Sequence, residues 1–339
     1  MSEQVFALRA LGSYHLGGNV VQLVGKPGVE LSPVPGSPRI ALDPNGSFQV
    51  GQMYVQHARL VSPRSPFPLL LWHGGGLTGA CWESTPDARA GWQAFFLAAG
   101  LDVLVCDAVE RGRAGWACFP DLYPAEPFFM PQHSAWTLYR VGMRDGFVED
   151  PAQRRGFPGG LFPVAAFDDF TRQIVPRWSC NDALIQAAYD ALIAREGPCL
   201  LFAHSQGAGF AIRAALKAPG MIKALVLVEP GGAPEMAAGD FDALTGFPML
   251  ALWGDNVDAV PFWTAAKQMS LAIITNVRRR GGDATALDLP AVGVHGNSHL
   301  LMMDTNSDDI AARIQQWLVS RGLLMAPVTA PPEAPPCRP

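Results

Sequence analysis

At 339 residues, with 49% apolar and 16% charged side chains, the chain can bury a large core, which excludes a disordered protein. A formal net charge of −5 without an acidic or basic block excludes the clustered basic stripe that nucleic-acid binding needs. No stretch approaches the roughly 18–20 uninterrupted apolar residues of a membrane span. The opening Met1-Ser2-Glu3-Gln4-Val5 lacks the basic start and apolar core of a signal peptide. The expectation is a soluble, cytoplasmic protein, or a periplasmic or secreted one if a signal peptide has been trimmed. The one basic run, Arg278-Arg279-Arg280, reads as a solvated helix end.

In chain order, the first 67 or so residues read as a β-rich lead-in. Gly51 to Leu60 alternates like a strand, and Gly17-Gly18-Asn19 and Asp43-Pro44-Asn45-Gly46 read as turns. From Pro68 short apolar runs alternate with helical patterns. The runs are Leu69–Trp72, Val103–Cys106, Leu200–Ala203, Ala224–Val228 and Met249–Trp253, each the length of a strand buried on both faces. Between them Gly91–Ala99, Asn181–Arg195, Gln206–Lys217 and Val260–Arg280 read as helices. Leu287–Val294 reads as a last strand. Ser307–Val319 reads as a last helix, with Asn306 as its N-cap and Asp308 and Asp309 in its first turn. Alternating β and α units predict an α/β fold with a mostly parallel sheet and helices on both faces.

Residues 119–178, rich in aromatics, proline and glycine, are too long for an ordinary loop. They are expected to form a cap or lid over the site, with Phe128, Phe129, Trp136 and Trp178 as candidates for an apolar wall or for packing. The whole of 1–325 reads as one domain, and the proline-rich 326–339 as a disordered tail. None of the six cysteines has metal-ligand spacing, so no metal is expected. Cys106 and Cys199 read as buried thiols, and a disulfide among Cys81, Cys118 and Cys180 stays open.

The chemistry centres on Ala203-His204-Ser205-Gln206-Gly207, where an apolar strand runs into a serine flanked by small residues and then into a helix. This is the nucleophile-elbow pattern, with Ala203 where a glycine usually stands. Its neighbours two before and two after must be small because the turn is strained. A glycine-rich turn with an idle serine is the plain alternative. Upstream, His73-Gly74-Gly75-Gly76 follows the strand Leu69–Trp72, as an oxyanion loop does. Gly75 and the residue after the serine, Gln206, are the candidate backbone donors, and His73 reads as a structural pin of the loop. The general base must come late in the chain. His299, in the loop before the last helix, is preferred to His295. For the acid, Glu229 directly follows Ala224–Val228 and Asp258 follows the next strand, and geometry alone does not choose between them.

This run of motifs, HGGG, AHSQG, VEPGG and GNSH, resembles the α/β-hydrolase superfamily. It is most similar to the group of bacterial esterases typified by esterase 713, on matches that include Gln52-Met53-Tyr54-Val55, Leu77-Thr78-Gly79 to Trp82-Glu83, and Arg111-Gly112-Arg113. The resemblance implies Glu229 as the acid with Asp258 in reserve, His299 as base, and Gly75 and Gln206 as oxyanion donors. It also implies a homodimer. Members can carry two adjacent cysteines where this chain has Gly75-Gly76, so a more flexible, redox-insensitive loop is expected here. The activity expected is serine carboxylic-ester hydrolysis on a small-molecule ester, without cofactor. Amide, lactone, thioester or carbon–carbon hydrolysis and acyl transfer on the same triad are alternatives, and a non-catalytic binding protein is a more distant one. A net −5 mildly disfavours anionic substrates and decides nothing about the substrate.

Overall fold

The computed structural model describes residues 5–116 and 120–326. Residues 117–119 and 327–339, with Cys118, Phe119 and nearly all of the proline-rich segment, lie outside the described residues.

The lead-in opens with β1 (Leu8–Leu23), continues through a small hairpin of β2 (Val29–Leu31) and β3 (Ile40–Leu42), and returns as β4 (Gly46–Leu60). β1 and β4 pair antiparallel over nearly their full length. The apolar runs then form β5 (Leu69–Trp72), β6 (Val103–Asp107), β7 (Cys199–His204), β8 (Ile222–Val228), β9 (Met249–Trp253) and β10 (Ala284–Asp288). One eight-stranded sheet results, in the order β1-β4-β6-β5-β7-β8-β9-β10. The six strands from β6 to β10 are parallel to one another, and β4 joins them antiparallel to β6.

The helices are α1 (Ala80–Glu83), α2 (Trp92–Ala98), α3 (Gln132–Leu138), α4 (Phe167–Thr171), α5 (Asp182–Glu196), α6 (Gln206–Lys217), α7 (Asp240–Ala243), α8 (Pro261–Arg279) and α9 (Ser307–Ser320). Strand side chains alternate between faces, so the period of two splits the core. Leu69, Leu71, Leu200, Phe202 and Val226 pack on one face with Trp92 and Phe96 of α2 and Ile310, Ile314 and Leu318 of α9. Leu70, Trp72, Leu201, Leu225 and Leu227 pack on the other with Tyr189 of α5, Ala211 of α6 and Ile274 of α8. Each such side chain, at or near zero exposure, contributes roughly 1.5–3 kcal/mol of burial. No described helix is long and apolar enough to cross a membrane.

Three expectations need correction. The last strand is Ala284–Asp288 and stops before Pro290, which lacks the N–H a ladder needs and opens a 3₁₀ turn, Pro290–Val292. Asn306 makes no side-chain cap on α9; its amide instead pairs with Asn297, whose Nδ2 donates to Asn306 Oδ1 at 2.7 Å. Gly17-Gly18-Asn19 is no turn but lies inside β1, where both glycines take φ 77°. Of the cysteines left open, Cys81 and Cys180 are free thiols, and Cys106 and Cys199 are free and buried as expected.

Candidate active site

The elbow is built by geometry that few side chains tolerate. β7 ends at His204, and Ser205 takes φ 52°, ψ −117° before α6 begins. A non-glycine residue held there stores on the order of 1–3 kcal/mol of strain. Bonds on both sides hold the turn: Ser205 N–H donates to Val228 O at 3.0 Å, and Gly231 N–H donates to Ser205 O at 3.0 Å. Gly207 is required, because a Cβ there would stand 2.7 Å from His73 O. Ala203 is fully buried in the strand, and the turn forms without glycine at that place.

The glycine loop after β5 is fastened atom by atom. Ala108 N–H donates to His73 Nε2 at 3.0 Å, so the proton sits on Nδ1, which donates to Gly74 O at 2.8 Å. Burial, aided by the Arg111 charge, pushes this imidazole down to about 4, so it is neutral and structural. Tyr139 Oη donates to Gly75 O at 3.0 Å, and Val175 N–H donates to Gly76 O at 2.9 Å. The flexible loop expected from paired glycines is therefore held through all three carbonyls. A planar trans peptide points its N–H opposite its C=O. Fixing Gly74 O thus orients Gly75 N–H, and fixing Ser205 O orients Gln206 N–H in the same way.

His299 lies in the loop between β10 and α9, fully buried. Its backbone is held at both ends: N–H to Tyr139 O at 2.9 Å, and O accepting from His204 Nε2 at 2.9 Å. Its ring packs between Trp263 (3.9 Å between ring centroids) and His204 (4.6 Å). Nδ1 meets Glu229 Oε2 at 3.1 Å, while Nε2 is buried and has no hydrogen-bond partner. Burial holds the imidazole down, to about 4, against the pull of Glu229. Glu229, at φ 50° just past β8, is fully buried as well. Arg140 grips it with a two-pronged pair, Nη2 to Oε1 at 2.7 Å and Nη1 to Oε2 at 2.8 Å. Gly254 N–H adds a bond at 2.5 Å. Burial alone would raise this carboxyl, but the Arg140 charge and the bonds from His299 and Arg140 outweigh it and hold it at about 2.

Asp258 stays exposed on a 3₁₀ turn, Val257–Ala259. His295 is exposed too and lies 3.5 Å from Asp255. The structure therefore joins Glu229 to His299 and leaves the reserve acid and the second histidine outside. Sequence reasoning missed Arg140, whose segment carries no motif. It also missed Asp304, buried under the His299 loop and accepting from Ser298 N–H at 2.8 Å.

A cavity of about 650 Å³ opens on Ser205, His299 and Gly75. One face of α6 (Gln206, Gly209, Phe210, Arg213) forms a wall, and Phe128, Leu138 and Tyr139 form another. The segment between β6 and α5 thus supplies part of this wall. Phe128 alone of the four aromatic candidates lines the cavity. Trp136 and Trp178 are buried, and Phe129 borders a separate surface groove.

A parallel sheet with a strained serine at a strand-to-helix turn, a pinned glycine loop and a late histidine on one sheet edge defines a hydrolase of the α/β fold. The chain belongs to the α/β-hydrolase family: it superposes on the atomic-resolution structure of a bacterial esterase with a TM-score of 0.78 and 30% identity, covering 94% of this chain and 98% of that one. It is also 25% identical over 326 residues to the fungal protein "Probable secreted lipase phiG" from Fungal sp. (strain ATCC 74256), covering 80% of this chain and 87% of that one. No family model matches the chain.

Proposed function

We propose that the protein is a serine carboxylic-ester hydrolase working through an acyl-enzyme. The observation that carries this reading is that strained Ser205 and His299, tied to Glu229, open on one cavity beside the glycine loop. Ser205 Oγ attacks the ester carbonyl carbon and its proton passes to His299 Nε2. The oxyanion is received by the N–H groups of Gly75 and Gln206, each such donor being worth about 3–4 kcal/mol in the transition state. His299 returns the proton to the leaving alcohol oxygen as the C–O bond breaks. Water then attacks the acyl-enzyme, giving its proton to His299, and Ser205 leaves with that proton. Glu229 stays ionised throughout and holds Nδ1–H. The bacterial esterase and the fungal lipase among the relatives support the ester as the bond cleaved.

The test is hydrolysis of a short-chain p-nitrophenyl ester, with fluorophosphonate labelling mapped by mass spectrometry. Ser205→Ala should lose roughly 10⁴-fold or more in kcat and take no label. Glu229→Gln should lose on the order of 10³-fold, and Asp258→Asn should match wild type. A folded protein whose Ser205 neither labels nor matters would overturn the assignment.

A further inference from the structure

The cleft carries positive charge that the proposed triad does not use. Arg177 lines it beside the glycine loop: a Cβ added to Gly75 would stand 2.7 Å from Arg177 Nη1 and 3.2 Å from Gln206 Oε1. The guanidinium is delivered from a fixed point, since Arg177 exchanges both backbone bonds with Phe128, at 2.7 and 3.1 Å. Among the described residues no carboxylate forms an ion pair with it, in contrast to Arg140 and Arg154 in the same segment between β6 and α5. Behind it lies Arg111, 1% exposed, with Nε and Nη1 buried and unpartnered. Burial and the Arg177 charge together push the Arg111 guanidinium down to about 10. Arg213 lines the outer end of the same cleft, two turns along α6. Among the described residues no carboxylate stands within ion-pair distance of Arg177 or Arg111, and the nearby charge of Glu110 offsets that of Arg111 only in part. Asp182 sits exposed at the rim, and the Glu110 carboxylate is engaged by Tyr123 and Asn181.

Two guanidinium groups close enough to repel, the buried one without a carboxylate in ion-pair contact, favour the entry of an anion. The planar fork of an arginine matches a carboxylate with two parallel bonds. We propose that the cleft selects esters bearing a second, free carboxylate a few bonds from the scissile carbonyl, with Arg177 pairing that carboxylate and Arg111 reinforcing the field from behind. The closeness of Arg177 to Gly75 and Gln206 sets the reach, that of half-esters of short dicarboxylic acids. A neutral ester of the same shape leaves the guanidinium unpaired in a partly desolvated cleft, and that difference gives the selection. The proposal rests on the hydrolase reading of Ser205, and the experiment separates the two.

Rates are measured by proton release for monomethyl succinate and for methyl butyrate, its neutral counterpart. Wild type should favour the half-ester by roughly tenfold or more in kcat/KM, and Arg177→Gln should reduce that ratio by a similar factor. Arg177→Lys, which keeps the charge without the fork, should recover part of it. Succinate should inhibit wild type competitively and succinamide should not, a comparison that decides the matter even if the glutamine variant does not fold. A wild-type ratio near one, an unchanged ratio in Arg177→Gln, or equal inhibition by both compounds overturns the proposal. Should no ester be turned over, the hydrolase reading fails instead. Calorimetric titration of succinate into Ser205→Ala, with and without Arg177→Gln, then still tests the anion site: Arg177-dependent binding supports it, and no such dependence overturns it.

Discussion

The whole guanidinium of Arg140 is spent on one carboxylate and one carbonyl: Nη1 and Nη2 hold Glu229, and Nε donates to Asp255 O at 2.9 Å, which fits a positioning residue of the proposed triad. Both charges of the pair are fully buried. Removing one partner strands the other, at about 3–5 kcal/mol. Arg140→Met is therefore expected to lose about 3 kcal/mol of stability in urea unfolding. A merely structural role would stop there. Arg140 also depresses the proton affinity of both Glu229 and His299, so without it the acid limb of the kcat/KM profile should move from near pH 4 upwards. Arg140→Lys should restore the limb in part, and an unmoved limb would show that the guanidinium only packs. At this scale the sequence was legible where chemistry is local. Ser205, His299 and the glycine run stand in short motifs whose neighbours explain them. Arg140 and Arg177 could not be read, because Glu229 and the glycine loop, which they reach, are brought to them only by the fold; Asp304 is close to Ser298 in the chain, but nothing in its segment marks it out.

At the scale of elements, the exit of β8 is as important to the placing of Ser205 as its own strand. Val228 O and Gly231 N–H clamp Ser205 from either side, and a Cβ at Gly231 would stand 3.1 Å from Ser205 Oγ and 3.3 Å from Gln206 N. Gly231→Ala must push the serine aside by a few tenths of an ångström, or crowd the Gln206 N–H. A displacement of 1 Å can reduce rate about 10²-fold, so a loss of roughly tenfold in kcat is expected here. Thermal unfolding should be little changed, because Gly231 is only partly buried and its φ is not in the left-handed region. Equal activity of the two proteins would show that the loop yields freely. The parallel strands were legible because each is a bare apolar run buried on both faces. The boundary of β10 was not: Leu287 to Val294 is apolar enough to read as strand, and Pro290 divides it. The choice between Glu229 and Asp258 also belongs here. Both follow strands on the same sheet edge, and what distinguishes them is tertiary packing: Glu229 meets His299, Arg140 and Gly254, while Asp258 stays exposed.

Across the whole molecule, three buried histidines set the response to acid. His73 and His299 are held to about 4, and His204 well below its usual value, each chiefly by burial. The unfolded chain takes up these protons near pH 6.5 while the folded chain refuses them. Stability is therefore complete above about pH 6.5 and falls as pH drops towards 4. Asp304, raised to about 6 by burial, acts the other way over part of that range, and Glu229, held at about 2, adds to the loss below its usual 4.5. Three groups against one leave a net loss on the order of a few kcal/mol between pH 7 and 5. Urea midpoints measured across that interval should fall steadily, and a flat profile would mean that the native histidines accept protons. The alternation of β and α units made the doubly covered parallel sheet legible. The reach of the lead-in was not, since Gly51–Leu60 covers only part of β4, and its first residues, Gly46 to Gln49, are half-buried or exposed and follow a turn pattern.

That lead-in has a consequence of another kind. Every proposed catalytic group lies beyond Leu60, so β1 and β4 carry no chemistry. β4 pairs with β6 on one side and with β1 on the other. A chain shortened to begin at Gly46 would keep the whole site, yet it would offer the free side of a fifteen-residue ribbon to any other copy in solution. β1's own outer side is interrupted: its register slips between Leu8 and Ala10, and Gly17 and Gly18 turn its backbone into the left-handed region, each at φ 77°, opposite Gly51 of β4 at φ 73°. The first strand thus covers a long strand edge, and self-association measured by light scattering, rather than ester turnover, is what its removal is expected to change.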